Sequence, residues 1–415
     1  MQDVVLAELS RWEGYVQSDP ERVLAAIRLR YPTSLADGSQ APNEWGDTYK
    51  ITFYAITAIE HCYGAGPSWQ YLVRGGLVDL LCQKVVELNP DTAVFPQFAE
   101  NMSEDQLRKT PAPWFSPLMP LCAGAGNIQD PMTPEDTLLV ETLKRHWPTM
   151  MKRIWELPGS SLSSENISGP SIQRMLVANL LKYLTTRDPS FWEVIDSCPH
   201  TIPVIIRNFL HPIQPAPDRK TPEFMLFGHE ALARLIAPVD APTIIYRAQH
   251  PIPLATLERV LRGASGSMES LISKITWHLV WLPYEHSVQC FNLLQHVRPF
   301  LASRNLPAYV EEHERLVQSK VYWKGLFSRL QRVTNEPLLV RNGAAGGVFF
   351  SIFMELVDVG DKIVPDLYKR HVESMVEADL FGVLDDVIPL LSGRSEIRNQ
   401  SRLYAFFDVM GQIAQ

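Results

Sequence analysis

The stretch Leu72-Val-Arg-Gly-Gly-Leu-Val-Asp-Leu-Leu81 carries the clearest structural signal in the chain. Apolar residues recur at steps of three and four on both sides of a glycine pair, which is the spacing of one face of a helix. Glycine adopts a left-handed backbone without steric cost, so Gly75 and Gly76 predict a sharp turn between two packed helices. We assign these two glycines as a structural turn.

Helical periodicity extends along most of the chain. The stripes Met175–Leu184 and Leu271–Leu282 repeat the same spacing, whereas the alternation typical of strands is rare. Many apolar-periodic segments follow a proline, and Asp19-Pro20 and Thr133-Pro134 join a capping residue to a proline suited to the first helical turn. The sequence therefore predicts an all-α protein built from many short helices.

A second segment aligns with the first. In Val376-Glu-Ala-Asp-Leu380-Phe-Gly-Val-Leu384 an apolar residue ends one helix and a leucine-rich helix follows a short turn. The anchors Val73, Ile195 and Val317 are spaced 122 residues apart, which divides into units of about 41 residues. The interval from Val317 to Val376 is 59 residues and interrupts this spacing. The pattern favours an array of degenerate helical repeats.

The motif Leu72–Leu81 resembles the helix-turn-helix junction of armadillo repeats, in which a small residue makes the turn before a leucine-rich helix. The resemblance implies an armadillo/HEAT-like α-solenoid, a right-handed superhelix of about eight to ten short helical units. The copy at 376–384 has Ala378 and Asp379 where the family has glycine. The groove asparagines and basic-peptide pattern of that family are not recognisable, so the resemblance implies no importin-like cargo role.

A serine-rich stretch at 159–169 is the predicted boundary between two parts of the chain. We expect N-terminal helical repeats over 1–158, with an irregular insert near 89–120, and C-terminal helical repeats over 170–415. The same stretch is also compatible with a long connection between two repeats of one array.

Composition excludes several classes of protein. The 415 residues have a net charge of −8 and are 46% hydrophobic, which is typical of a soluble globular protein and argues against a general nucleic-acid binder. The N-terminus lacks the pattern of a signal peptide, and the most apolar window, Gly343–Val359, is too short to span a membrane. Five scattered cysteines predict reduced thiols in a cytoplasmic protein, with the nucleus also open.

The sequence predicts no metal site and no cofactor. His229-Glu230 begins like a zinc-protease motif but lacks the second histidine that would complete the ligand pair. The glycine-rich run Asn342–Val348 lacks the Lys-Ser/Thr of a phosphate-binding loop, and Asp385-Asp386 lacks the spacing of a magnesium-binding DDxxD motif.

Aromatic residues supply the candidate binding site. Trp277, Trp281 and Tyr284 fall at steps of four and three, so they share one helix face, and Arg298 follows them in the chain. Tryptophan, tyrosine and arginine are typical anchors of protein interfaces, which makes these four residues candidate partner contacts. The alternative is that the aromatic side chains fill the core.

We expect a non-catalytic scaffold or adaptor that binds a protein or peptide partner on a groove of stacked helices. The alternative is an all-α enzyme or small-ligand binder, with an aromatic-lined pocket between helices that contains histidines such as His61, His278 or His296. A self-assembling structural protein is a third possibility. The sequence leaves the oligomeric state and the identity of the partner open.

Overall fold

The computed structural model describes residues 2–29, 44–61, 66–87, 117–156, 169–210, 254–281, 315, 318–335 and 365–392. Every regular element in these ranges is a helix, which confirms the predicted all-α class. The helices are α1 Gln2–Ser18, α2 Pro20–Arg28, α3 Glu44–Glu60, α4 Gly66–Arg74, α5 Leu77–Glu87, α6 Leu118–Gly126, α7 Pro134–Glu156, α8 Gly169–Arg187, α9 Phe191–Ser197, α10 Thr201–Phe209, α11 Leu254–Gly263, α12 Met268–Trp281, α13 Lys320–Asn335, α14 Pro365–Glu377 and α15 Leu380–Ser392.

The predicted helix starts at Pro20 and Pro134 have the expected caps. The side chain of Asp19 accepts a hydrogen bond from the backbone N–H of Arg22 at the start of α2. At the start of α7, Thr133 Oγ1 accepts from the Asp136 N–H at 3.1 Å, and the Asp136 carboxylate accepts from the Thr133 N–H at 3.0 Å. This reciprocal capping satisfies two amides that the helix itself leaves without partners.

The chain divides into two compact units, with the boundary between Ile205 and Ile206 inside α10. The predicted boundary stretch at 159–169 lies outside the described residues except for Gly169. The expected insert near 89–120 lies outside them up to residue 116. None of the described helices is both long enough and apolar enough to cross a membrane.

The helices of the first unit form two rows. One row consists of α1, α3, α6 and α8, in which each helix contacts the next, and α2, α5, α7 and α9 form the other in the same way. Contacts such as those of α1 with α2 and of α6 with α7 join the rows, while α4 packs on α2, α5 and α7. Fully buried side chains between the helices include Ile27, Leu81 and Trp147.

In each row, one pair of neighbouring helices can be seen to run in the same direction. Cys122 Sγ lies 3.6 Å from the carbonyl oxygen of Leu176, and four residues further along α6, Gly126 faces the ring of Tyr183 on α8. In the other row, Gly75 faces Leu24 on α2, and Lys84 reaches Leu29 at the end of the same helix. Residue numbers rise together along both members of each pair, so the helices are parallel.

The Lys84 side chain closes the end of α2. The side chain is 3% exposed, and its ammonium group donates to the carbonyl oxygen of Leu29 at 2.6 Å and to the carboxylate of Glu87 at 2.6 Å. The last carbonyls of a helix have no partner within the helix, so a buried lysine satisfies one of them and pairs its own charge at the same time.

The turns before α5 and before α15 have the same backbone geometry. Gly76 has φ +89° and Asp379 has φ +78°, and both turns repeat one hydrogen-bond pattern. The amides of Gly75 and Ala378 each donate to the carbonyl four residues earlier, and those of Gly76 and Asp379 to the carbonyl three residues earlier. The two segments aligned from the sequence therefore share a left-handed turn, with glycine in one copy and aspartate in the other.

Substitutions at the two left-handed positions are expected to differ in their effect on stability. Gly76→Ala should lower the free energy of unfolding by about 1–2 kcal/mol, because a side chain strains the left-handed backbone. Asp379→Gly should change it by less than about 1 kcal/mol, because relief of the left-handed backbone is offset by loss of the carboxylate that lies against Gly382 in the first turn of α15. Hydrogen exchange of the core amides in each unit measures both changes. A loss for Gly76→Ala no larger than that for Asp379→Gly would contradict the shared geometry.

In the second unit α12, α13 and α15 also run in the same direction. A Cβ on Gly325 of α13 would lie 2.7 Å from Thr276 Cγ2 of α12, and seven residues later Arg332 donates to the carbonyl of Val280. On the other side of α13, two side-chain contacts join residues of rising number: Lys320 to Glu377 at 3.5 Å and Gln331 to Asp386 at 3.1 Å. The core beneath α13 contains the buried rings of Tyr322, Trp323 and Phe327.

Candidate functional site

The structure places one of the four candidate binding side chains. Trp277 lies on α12, is half-buried, and meets the adjacent ring of His278 edge-on at a centroid distance of 5.3 Å. Trp281 is the last residue of α12, and its side chain lies outside the described residues together with Tyr284 and Arg298. The aromatic face that the sequence favours therefore stays a prediction.

The histidines of the alternative hypothesis occupy different surroundings. His278 is fully buried in the second unit, where its ring lies parallel to that of Phe209 at a centroid distance of 6.2 Å. His61 belongs to the first unit, is 46% exposed, and contacts the carboxylate of Glu13 at 2.5 Å. His296 lies outside the described residues. The two described histidines thus belong one to a core and one to a surface.

A line of ion pairs, which the sequence did not suggest, runs along α7 in the first unit. Arg74 at the end of α4 contacts Glu135 at 3.3 Å. Further along α7, the carboxylate of Asp79 on α5 accepts from Arg145 at 2.8 Å and contacts His146 Nε2 at 2.6 Å. These contacts join α4 and α5 to α7, and in each of them an acidic side chain is paired with a basic side chain.

The Asp79–His146 contact has the geometry of a general base held by a carboxylate, but the neighbouring nucleophile is unsuitable. The Cys82 thiol lies one turn from Asp79 on α5 and is fully buried. Burial raises its pKa strongly, and the negative charge of Asp79 raises it further. A thiol reacts as the thiolate, so a raised pKa disfavours Cys82 as a nucleophile, and the contacts of Asp79 join α5 to α7.

The same line ends at the turn between α8 and α9. Lys144 contacts the Asp188 carboxylate at 2.7 Å, and Ser190 donates to the same carboxylate from its hydroxyl at 2.7 Å. Burial works to raise the pKa of Asp188, but the hydrogen bonds from Lys144 and Ser190 outweigh it, so the pKa lies below its usual value of 3.8. The charged form of Asp188 is therefore stabilised in the folded protein.

Asp188→Asn is expected to cost about 1 kcal/mol of stability at neutral pH, because the ion pair with Lys144 is lost. A carboxyl whose folded pKa is lowered contributes stability above its unfolded pKa and loses it as the pH falls through the folded pKa. The difference in stability between wild type and variant should therefore be constant near neutral pH and shrink below pH 3.8. Thermal unfolding across a pH series measures it, with the exposed Glu193→Gln as control. A difference that persists unchanged in acid would contradict the assignment.

Three exposed apolar side chains of the second unit belong to the helix ends that meet at one ion pair. Val321 is 62% exposed, Val376 is 40% exposed and Phe381 is 55% exposed, and each lies within four residues of the Lys320–Glu377 ion pair. That ion pair holds the start of α13 beside the turn between α14 and α15. We call Val321, Val376 and Phe381 the junction patch. Single apolar residues are common on protein surfaces, but a group of them at one helix junction is typical of a contact surface.

Charged side chains surround the junction patch. Exposed acidic residues near it are Glu373, Glu377, Asp379, Asp385 and Asp386, and exposed basic residues are Lys320 and Lys324 on α13 and Lys369 and Arg370 on α14. The carboxylate of Asp379 lies against Gly382, where a Cβ would approach its Oδ1 to 2.6 Å. The apolar side chains of the patch are thus surrounded by charges of both signs.

Sequence reasoning missed the junction patch although one signal was present. Leu380, Val383 and Leu384 form the buried stripe of α15, and Phe381 lies outside that stripe. A large aromatic residue outside the apolar face of an amphipathic helix is a reason to expect a surface contact.

Among the described residues, no group of three or more histidine, cysteine, aspartate or glutamate side chains is arranged to hold a metal ion. His229-Glu230 and the run 342–348 lie outside those residues. No family model, curated protein or solved structure matches the chain.

Proposed function

We propose that the chain is a non-catalytic scaffold or adaptor that binds a protein or peptide partner on the surface of an armadillo/HEAT-like α-solenoid. The two rows of helices in the first unit, in each of which one pair of neighbours runs in the same direction, support this arrangement. The left-handed turn that recurs before α5 and before α15 supports it as well, since repeats join their helices by similar turns.

The observation that carries the proposal is the junction patch. Charged groups along α7 are paired with one another, whereas Val321, Val376 and Phe381 remain exposed at the start of α13 and on both sides of a helix turn. Rows of stacked helices present such side chains on a surface that needs little rearrangement on binding, so a partner loses little of its binding energy to ordering the scaffold.

We place the protein in the cytoplasm, with the nucleus as the second compartment. Cys82, Cys122 and Cys198 are buried free thiols. Burial raises the pKa of Cys122 to about 12, which keeps this thiol protonated and unreactive. Free thiols are typical of reducing compartments and support this location.

Comparative capture from a lysate tests the proposal. The bait is the full chain, and the variant is Val321→Ser with Phe381→Ser, which removes apolar surface without adding charge. The control is Met132→Ser with Leu138→Ser, since these side chains are 39% and 42% exposed in the first unit. We expect a protein whose recovery falls by about tenfold or more in the variant and is unchanged in the control.

A thermal-shift screen of metals, nucleotides and metabolites runs beside the capture. The scaffold proposal fails if no captured protein depends on the junction patch. It also fails if a small molecule raises the melting temperature by several degrees, because a ligand that binds the folded state stabilises it by mass action. That second outcome would favour the alternative, a pocket between helices.

A further inference from the structure

The turn between α11 and α12 contains an exposed serine. The backbone amide of Gly266 donates to the carbonyl of Leu261 at 2.7 Å, and that of Ser265 donates to the carbonyl of Arg262 at 3.3 Å. This pair of hydrogen bonds is the Schellman motif that ends many helices, and Ser265 takes its left-handed position with φ +85°. The serine therefore lies on the surface, just beyond the end of α11.

A lysine of α12 contacts this serine. Lys274 Nζ donates to Ser265 Oγ at 2.8 Å. The Lys274 side chain is half-buried, and burial lowers its pKa because the charged form loses contact with water. Its described partner is a neutral hydroxyl, whereas Lys144 and Lys320 contact carboxylates. A negative charge on Ser265 would thus meet an ammonium group at hydrogen-bonding distance.

Two arginines precede the serine at a spacing typical of kinase substrates. The sequence reads Arg259-Val-Leu-Arg262-Gly-Ala-Ser265, with arginine three and six positions before the hydroxyl. Arginine-directed kinases select such segments because their own acidic side chains pair with the guanidinium groups. Arg262 is exposed and Arg259 is half-buried in the second half of α11. The arginines and the hydroxyl therefore belong to one surface segment.

We infer that Ser265 is a phosphorylation site of an arginine-directed protein kinase. The γ-phosphorus of ATP forms a bond to Ser265 Oγ, its bond to the bridging oxygen of ADP breaks, and the hydroxyl proton passes to a carboxylate of the kinase. The phosphate then pairs with Lys274, which replaces a hydrogen bond to a neutral group by one between two charged groups. This inference goes beyond the proposed function and does not depend on the junction patch.

The charges near the turn favour a phosphate. Charged side chains in the second half of α11 and the first half of α12 are Glu258, Arg259, Arg262, Glu269 and Lys274. The helix α13 packs against α12, and its charged residues are Lys320, Lys324, Arg329 and Arg332. Basic residues thus outnumber acidic ones on these helices, although Lys320 is already paired with Glu377. The end of α11 disfavours an anion and the start of α12 favours it, so Lys274 decides the balance.

A kinase needs the end of α11 to open. Kinases bind substrate segments in an extended form, whereas Arg262 lies in the last turn of the helix. The end of a helix opens more readily than its centre, and Gly263 and Gly266 give this segment additional freedom. Phosphorylation should therefore proceed without unfolding of the second unit.

Ser190 provides an internal comparison. In Arg187-Asp-Pro-Ser190 the arginine is also three positions before the serine, but an aspartate and a proline lie between them. The Ser190 hydroxyl already donates to the Asp188 carboxylate at 2.7 Å, and Lys144 is paired with the same carboxylate. A phosphate at Ser190 would lie beside that negative charge, so this serine should be a poor substrate.

Kinase treatment of the full chain tests the assignment. The folded chain is incubated with ATP and a calmodulin-dependent protein kinase of Arg-x-x-Ser specificity, and mass spectrometry locates the phosphate. We expect Ser265 to be modified at least about tenfold faster than Ser190, and Arg262→Gln to slow its modification by about tenfold. Ser273→Ala removes an exposed serine of α12 and should leave the rate at Ser265 unchanged.

Phosphorus NMR of the modified chain tests the pairing with Lys274. Phosphoserine has a second pKa of about 6, and a neighbouring ammonium group favours its doubly charged form. We expect the phosphate pKa to lie about 0.5–1 below its value in the urea-unfolded chain. Lys274→Gln should remove most of this difference, and Ser273→Ala should leave it intact.

Three results would overturn the inference. In the first, Ser265 stays unmodified in the folded chain while a synthetic peptide of residues 256–268 is modified. In the second, Ser190 gains phosphate as fast as Ser265. In the third, the phosphate pKa is the same in the wild type and in Lys274→Gln, which would refute the pairing. Failure of patch-dependent capture from a lysate would instead remove the proposed function and leave this site untouched.

Discussion

Trp147→Ala is expected to lower the free energy of unfolding of the first unit by about 3–5 kcal/mol. The Trp147 side chain is fully buried, and its ring meets that of Phe191 edge-on at a centroid distance of 5.1 Å. Its indole N–H donates to Thr201 Oγ1 at 2.9 Å. Alanine would leave a large cavity between α7, α9 and α10 and would also leave the buried Thr201 hydroxyl without this partner. Chemical denaturation with hydrogen exchange of α7 measures the loss.

Two matched substitutions show which part of the interaction matters. Trp147→Phe keeps most of the ring volume but removes the indole N–H, so we expect an intermediate loss of about 1–3 kcal/mol. Trp192→Ala removes a tryptophan that is only half-buried on α9 and should cost less than either. If Trp147→Ala costs no more than Trp192→Ala, the position of Trp147 at the centre of this core is wrong.

Gly124→Ala is expected to destabilise the first unit by about 1–3 kcal/mol through steric overlap. Gly124 lies in α6 against the six-membered ring of Trp69 on α4, and a Cβ there would overlap that ring. Trp69 is 4% exposed, so the ring has little space into which it can move. Gly14→Ala is the control, because a Cβ at Gly14 in α1 meets nothing within 4 Å. That substitution should raise stability by about 0.5–1 kcal/mol through helix propensity.

A double-mutant cycle tests the proposed overlap directly. The atoms nearest to Gly124 belong to the part of the indole that phenylalanine lacks. Trp69→Phe should therefore cost less in the Gly124→Ala background than in the wild type, because the substitution also relieves the overlap. Additive losses would show that Gly124 and Trp69 do not share this contact.

Local sequence patterns were sufficient to predict the elements of the fold. The caps at Asp19 and Thr133 act on backbone groups three residues away, and the turn at Gly75-Gly76 depends on the backbone freedom of glycine. Val204-Ile205-Ile206 looks like a strand by composition, yet it lies within α10 because an apolar environment accepts β-branched residues in a helix. Each of these features is decided within a few residues of chain.

Tertiary features of the candidate site were beyond the reach of the same reasoning. Asp79 and His146 are 67 positions apart in the chain, and Lys320 and Glu377 are 57 apart. The stripe of α15 leaves Phe381 off the buried face, but the surroundings of its ring depend on how α13 and α14 pack, and no pattern within α15 shows this. The arrangement of repeats and the four-residue site around Trp277 stay predictions, since Tyr284 and Arg298 lie outside the described residues.

The buried ammonium of Lys84 also makes this residue a chemical reporter of local opening. An acylating reagent needs the free amine, and that amine is held by the Leu29 carbonyl and the Glu87 carboxylate beneath the end of α2. Labelling therefore requires α2 to separate from α5, so its rate follows the population of the opened form rather than intrinsic lysine reactivity. Exposed lysines such as Lys152 on α7 would label at once and provide the reference rate within the same molecule.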